Sequence, residues 1–301
     1  MASLVKELVE AGIHFGHRST NWNPKMKPYI YGKRNRIHVI DVRETVKGLL
    51  LARKFLTRIV SKGNDVLFVG TKRQARPAIE QHARDSGMHW VTERWLGGTL
   101  TNFRTIRERL KRLTELEQLD ESGQINSYSK KMEATLRREQ EKIRRNLDGI
   151  RNMTKLPGAI VIVDVKHESN AVKEARKLGI PTVSLIDTDS DPDMVDIAIP
   201  GNDDAMKAIE IVIKSLCAAI NEGKQQTASA GLVGPDADRT APARRSARAM
   251  FRAEDADAGA PSADPSAPAP PAAAEAEATA EATAEAPIAA PPAEPDPGAQ
   301  P

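Results

Sequence analysis

The sequence predicts an α/β protein: a parallel sheet with helices on both faces, interrupted by a helical hairpin and followed by a disordered C-terminal tail. Three observations predict it. Short Val/Ile-rich runs alternate with amphipathic stretches, residues 103–151 contain no strand-like run, and residues 253–301 are dominated by Ala, Pro and Glu with no basic residue.

Residues 37–42 (IHVIDV) read as the first strand, since β-branched side chains suit a pleated backbone. Val46, Leu49, Leu50, Phe55, Leu56 and Ile59 then recur at helical spacing through residues 44–61, and Gly63 supplies a left-handed stop. Residues 65–69 (DVLFV) form a second apolar run, after which Gly70, Thr71 and Lys72 turn into a polar-faced helix ended by Gly87. The alternation resumes with residues 159–163 (AIVIV), a helix over 169–178, and residues 182–186 (TVSLI), with Gly179, Ile180 and Pro181 marking the helix exit. A short strand near Ile197 and a helix over 203–221 close the body. Near-continuous apolar strands imply burial on both faces, because parallel crossovers lay helices over the sheet.

The middle segment reads as two long helices. Ile106, Leu110, Leu113 and Leu116 line one, and Met132, Leu136, Ile143, Leu147 and Ile150 line the other, with residues 120–126 (DESGQIN) as the turn. So narrow a seam suits a two-helix hairpin, whose 13 basic and 9 acidic residues over 104–151 lean its outer faces positive.

Charge divides the chain. Residues 225–301 hold 5 Lys+Arg and 12 Asp+Glu, which leaves 39 against 29 in the body. A basic body points to a polyanion, with a merely solubilising surface as the alternative. The tail, with a small cluster at Arg239, Arg244, Arg245, Arg248 and Arg252 before its Ala/Pro/Glu stretch, lacks the apolar surface to offset chain entropy. Cys217 is the only cysteine, so neither an intrachain disulfide nor a multi-cysteine zinc site can form, and a reducing compartment fits. Lys6, Glu7 and Glu10 interrupt the apolar run a secretory peptide needs, and no 18 apolar residues run together, so the expectation is a soluble cytoplasmic protein.

Parallel α/β sheets commonly bind nucleotides at strand ends, but no phosphate loop is present. Gly70-Thr71-Lys72 and Gly97-Gly98-Thr99 are too short to cradle a pyrophosphate. Asp187, Asp189, Asp191 and Asp193, with Asp203 and Asp204, could gather around a divalent cation, although turn chemistry explains them and no cofactor is expected; Asp187, Asp189, Asp203 and Asp204 are the metal candidates. His14 and His17 lack a third ligand at suitable spacing. No nucleophile–base pair presents itself, so a catalytic role is not expected.

Cations and rings interleave over residues 14–36, where phosphates would attract the cations and exposed rings could stack on bases, with Trp22, Tyr29 and Tyr31 expected instead to cover the sheet. Lys72, Arg73 and Arg76 start one helix, and Arg94, Trp95, Thr99, Asn102, Arg104 and Arg107 run through the glycine turn into the hairpin.

Three stretches carry a resemblance: AGIHFGHRSTNWNPKMKPYIYGKRNRIHVID at 11–41; FVGTKRQA at 68–75 with ERWLGGTLTNF at 93–103; and PGAIVIVDVKHESNAVKEARKLGIPTVSLIDTDSDPDMVDIAIPGNDDA at 157–205. In order and spacing they resemble the bacterial small-subunit ribosomal protein numbered two, the S-two family, over about residues 3–224. The resemblance implies a flavodoxin-like sheet interrupted by a protruding coiled-coil hairpin, contact with small-subunit ribosomal RNA between head and body, neighbouring small-subunit proteins, and help in recruiting ribosomal protein S-one. It implies no small-molecule substrate and no membrane. On the matching positions, His17, Arg18, Lys25, Lys27, Arg34, Arg36, Lys72, Arg73, Arg94, Thr99, Asn102 and Arg104 are expected to face RNA. The organisation that follows is an α/β RNA-binding domain over 1–103 and 151–224, a hairpin over 104–150, and a tail over 225–301. The rival readings are a nucleotide-binding enzyme that uses the sheet crevice and a general RNA chaperone that uses the 239–252 cluster.

Overall fold

The computed structural model describes residues 2–232. Its centre is a five-stranded parallel sheet of β4 (Val66–Val69), β5 (His89–Val91), β6 (Ala159–Val163), β7 (Thr182–Ile186) and β8 (Ile197–Pro200), in the spatial order β5-β4-β6-β7-β8. Counted within the sheet, that is the 2-1-3-4-5 order of flavodoxin-like folds, with the order reversing between β4 and β6.

Both faces are buried, which explains the continuous apolar runs. Val66 and Phe68 of β4, Val161 and Val163 of β6, and Val183 and Leu185 of β7 point into one core. That core is covered by α1 (Ala2–Glu10), α2 (Val42–Ser61), α3 (Arg76–Asp85) and α7 (Met206–Leu232). Leu67, Val69, Ile160, Ile162 and Ile186 point into the second core, under α6 (Ser169–Lys177) and the helical pair α4 (Phe103–Glu121) and α5 (Lys130–Leu147). A period-two strand between two apolar layers has no polar positions to spare. Thr182 and Ser184 are the exceptions on β7: the Thr182 hydroxyl donates to Asp196 at 3.1 Å and the Ser184 hydroxyl to the Ile162 carbonyl at 2.9 Å.

In α4 and α5 the expected seam is present at Ile106, Leu110, Leu113, Leu116, Leu136, Ile143 and Leu147, all buried, with Gly123 at φ 69° opening the turn. Met132 departs from it. It is 49% exposed, because it lies in the first turn of α5 beyond the reach of α4's apolar face. Ion pairs cross the seam from Arg112 to Glu139 and from Arg137 to Asp120, both at 3.9 Å.

Other expectations are corrected. The run at 37–42 is not part of the parallel sheet: β3 (Ile37–Ile40) lies between β1 (Phe15–Arg18) and β2 (Ile30–Arg34) in a separate antiparallel sheet. Its alternating burial is that of a sheet with one wet face. The strand β5 was not anticipated, since three residues are too few for a periodic signal. The last helix continues past 221 to Leu232, and Thr227 still donates to the Val60 carbonyl at 3.4 Å. The basic cluster at 239–252 and the Ala/Pro/Glu stretch lie outside the described residues. Among the described residues no helix is long and apolar enough to cross a membrane.

Candidate nucleic-acid interface

The C-terminal ends of the parallel strands, where this architecture usually opens to a ligand, converge on a charge network. After β4 the chain turns tightly through Gly70, where a Cβ would overlap the Ile79 side chain, and delivers Lys72. After β6, Asp164 takes a left-handed φ of 68° and accepts from the Lys166 and His167 amides at 3.0 and 3.1 Å, an Asx turn that tolerates that backbone. After β8 come Asp203 and Asp204. The Lys72 ammonium lies 2.7 Å from Asp203, 2.6 Å from Asp204 and 3.4 Å from Asp164.

The same contacts shift the protonation equilibria of the network. Burial works to lower the Lys72 pKa, but hydrogen bonds to Asp203 and Asp204 outweigh it and the pKa is raised. Asp203 is pushed up to about 7, chiefly by burial and then by the neighbouring Asp164, and its Oδ2 is buried without a hydrogen-bond partner. His17 donates from Nδ1 to Asp187 at 2.8 Å, and mainly that bond raises its pKa to about 9. A nucleotide entering this crevice would have to displace Lys72 and bring phosphates against four carboxylates. The crevice therefore opposes the anion that the fold often binds.

The metal candidates face cations of the protein itself. Asp187 pairs with His17, Asp189 with Lys166 at 3.0 Å, and Asp203 and Asp204 with Lys72. A protonated His17 has no lone pair to give a metal ion. Among the described residues no group of three or more His, Cys, Asp or Glu side chains is arranged to hold one.

The antiparallel sheet docks beside this network. Gly16 passes so close to Thr188 that a Cβ would sit 2.6 Å from its methyl group, and the His17 amide donates to the Thr188 hydroxyl at 2.9 Å. Docking by the backbone leaves the outer side chains free. β2 and β3 are joined by Asn35 and Arg36, with φ of 50° and 63°, the two consecutive positive values of a type I′ hairpin, so Arg34 and Arg36 stand at an exposed tip. Contrary to the expected cover, Tyr31 is 81% exposed and Trp22, also exposed, packs its ring 5.0 Å from that of His38; Tyr29 is partly buried against the second core.

The twelve expected RNA-facing residues fall into distinct surroundings. His17, Lys72 and Thr99 are held inward, Thr99 being 2% exposed with its hydroxyl on the Leu96 carbonyl. Lys25 pairs with Asp191 and Asp193 at 2.8 and 2.7 Å, and Arg104 with Glu108 at 3.3 Å. Asn102 is exposed and accepts from the Thr105 hydroxyl at 3.0 Å. Arg18, Lys27, Arg34, Arg36, Arg73 and Arg94 are exposed and, among the described residues, form no ion pair.

One organising residue escaped the sequence reading. Glu174 of α6 accepts from the Gly98, Leu100 and Thr101 amides at 2.8, 3.1 and 3.2 Å, and from the Trp95 indole at 3.1 Å. Burial works to raise its pKa, yet these donors, led by the Gly98 amide, hold it below the usual carboxylate range. The glycine turn does form an anion-binding nest, and the anion is internal. Only the two glycines hinted at it, since Glu174 looks like any polar position on an amphipathic helix.

The chain resembles known proteins over most of its length. The family model described as "Ribosomal protein S2" matches residues 8–223. A protein named "Small ribosomal subunit protein uS2" from Rhodopirellula baltica is 57% identical over 224 residues, covering 74% of this chain and 86% of that protein. One of the same name from Syntrophobacter fumaroxidans is 49% identical, covering 74% and 81%, and "Small ribosomal subunit protein uS2c" from Rhodomonas salina is 52% identical, covering 72% and 89%.

Proposed function

The chain belongs to the ribosomal protein S2 family, structural and non-enzymatic constituents of the small ribosomal subunit, and from that premise we propose that it binds small-subunit ribosomal RNA and helps recruit ribosomal protein S-one. It works ribosome-bound in the cytoplasm. The α/β domain, whose last helix runs on to Leu232, carries the RNA contacts, and the 104–150 hairpin braces them against neighbouring proteins and RNA.

The observation that supports this reading is the contrast between inside and outside. Carboxylates satisfy the cations at the sheet crevice, whereas six exposed cations on the antiparallel sheet and the strand-end loops form no ion pair among the described residues. Exposed, unpaired Lys and Arg are what a phosphate backbone neutralises, with release of condensed counterions. His17, Lys72 and Thr99 act one step back, holding the sheet and loop that present the others.

The test is the salt dependence of binding to protein-free small-subunit RNA. Reversing charge with Arg34→Glu and Arg36→Glu should flatten the log–log slope by roughly 1 to 2 units. Small subunits assembled without this chain should also lack S-one. An unchanged slope, or S-one retained on such particles, would count against the corresponding half of the reading.

A further inference from the structure

We propose that the furrow between the loop following β5 and the C-terminal half of α5 is a seat for an RNA sugar–phosphate strand, gripped by Arg94, Arg138, Lys142 and Arg145. The inference rests on the reading that the chain binds ribosomal RNA, and it places a contact on a surface separate from the Arg34–Arg36 tip.

Arg138, Lys142 and Arg145 follow one another at i, i+4 and i+7, so they form a stripe along one face of α5. Arg94 stands across from them, and all four line one cavity of about 480 Å³. Each is exposed and, among the described residues, forms no ion pair. Some of the hairpin's other cations are neutralised locally, Arg112 by Glu115 at 3.1 Å, Arg137 by Glu133 at 2.9 Å and Arg151 by Glu117. Of the two carboxylates that line the furrow, Glu93 already holds Arg76 at 3.0 Å, which leaves Glu141 against four positive charges.

Charge selects the class of ligand. A second cavity of about 420 Å³ shares Glu93, Glu141, Arg145 and Asn146 with the first, and there Arg84 and Arg144 are offset by Glu80 and Asp148. The second cavity is therefore close to charge-balanced, and the seat is the first, where four cations face Glu141. Leu96 is the only apolar residue among those that line the first. Three of the four cations are arginines, whose fork matches a phosphate with two parallel hydrogen bonds. The wall that carries Arg94 is also preset, because the adjoining turn is held by Glu174.

The experiment compares the full-length chain with two exposed-site variants, Arg138→Glu/Arg145→Glu and Arg34→Glu/Arg36→Glu, on protein-free small-subunit RNA over a salt series, with circular dichroism to confirm folding. The furrow variant should bind about tenfold or more weakly at moderate salt and lose roughly 1 to 2 units of slope, while Arg138→Lys/Arg145→Lys keeps the slope. Should the glutamate pair disturb the fold, Arg138→Gln/Arg145→Gln reads the same loss. A furrow variant that matches wild type while Arg34→Glu/Arg36→Glu is impaired would overturn this seat and leave RNA binding standing. RNA binding retained together with loss of a protein neighbour from assembled subunits would assign the furrow to an acidic protein and overturn it equally. If wild type shows no salt-dependent binding at all, both the reading and the seat fall.

Discussion

His17 and Lys72 share a position in the electrostatics of the fold: each is a cation drawn into the strand-end network by carboxylates that the loops cannot avoid placing there. The His17 pKa is raised from 6.5 to about 9, so the stability contributed by its bond to Asp187 is complete below pH 6.5 and is lost as pH rises through 9. Asp203, raised to about 7, likewise favours the fold at low pH, with its share lost as pH rises through 7. Replacing His17 by Gln should leave the Asp203 dependence and remove the other. The stability gap between wild type and variant, from urea unfolding, is therefore expected to be widest at pH 6 and to close above pH 9; a gap independent of pH would refute the ion pair. Glu174 makes a sharper case. Glu174→Ala removes the acceptor from three amides and an indole and should cost about 2 kcal/mol, while Glu174→Gln, which keeps one oxygen, should cost less. Both are measurable by denaturant midpoint.

Among the elements, α2 shows packing overruling propensity. Gly48 lies inside a 20-residue helix, where Ala would ordinarily be favoured by about 1 kcal/mol. Here a Cβ would overlap the Ala198 carbonyl oxygen of β8, because α2 crosses that strand at backbone contact. Gly48→Ala should therefore destabilise by a net of up to about 2 kcal/mol, the cost of overpacking less the helical gain. Stabilisation in urea unfolding would show that the two elements can part. The helical pair teaches a related lesson about reading seams. Apolar spacing placed the buried residues from Ile106 to Leu147 correctly except at Met132, since periodicity records which face a residue is on and not whether the neighbouring helix reaches that far.

For the molecule as a whole, the boundary of the body moves with α7. Its length to Leu232 means that a cut after Lys224 removes helical residues, Thr227 and its bond to Val60 among them. Truncation after Leu232 should leave unfolding and assembly into small subunits unchanged, whereas truncation after Lys224 should lower the melting temperature. Equal melting temperatures would mean that the last turns of the helix contribute nothing. The sequence alone held four of the five parallel strands, the helices on both faces and the apolar faces of the two middle helices, because hydrophobic periodicity is a local record of which face each residue buries. It also showed a basic body, since charge is additive along a chain. Which cations remain available was decided only by the tertiary structure. Lys72 and Arg73 are adjacent in sequence, yet one is enclosed by three aspartates from two distant loops and the other stands free. Pairing depends on what the fold brings within a few ångströms, and nothing in local spacing encodes that. The same reason hid Glu174 and moved the run at 37–40 into a sheet of its own.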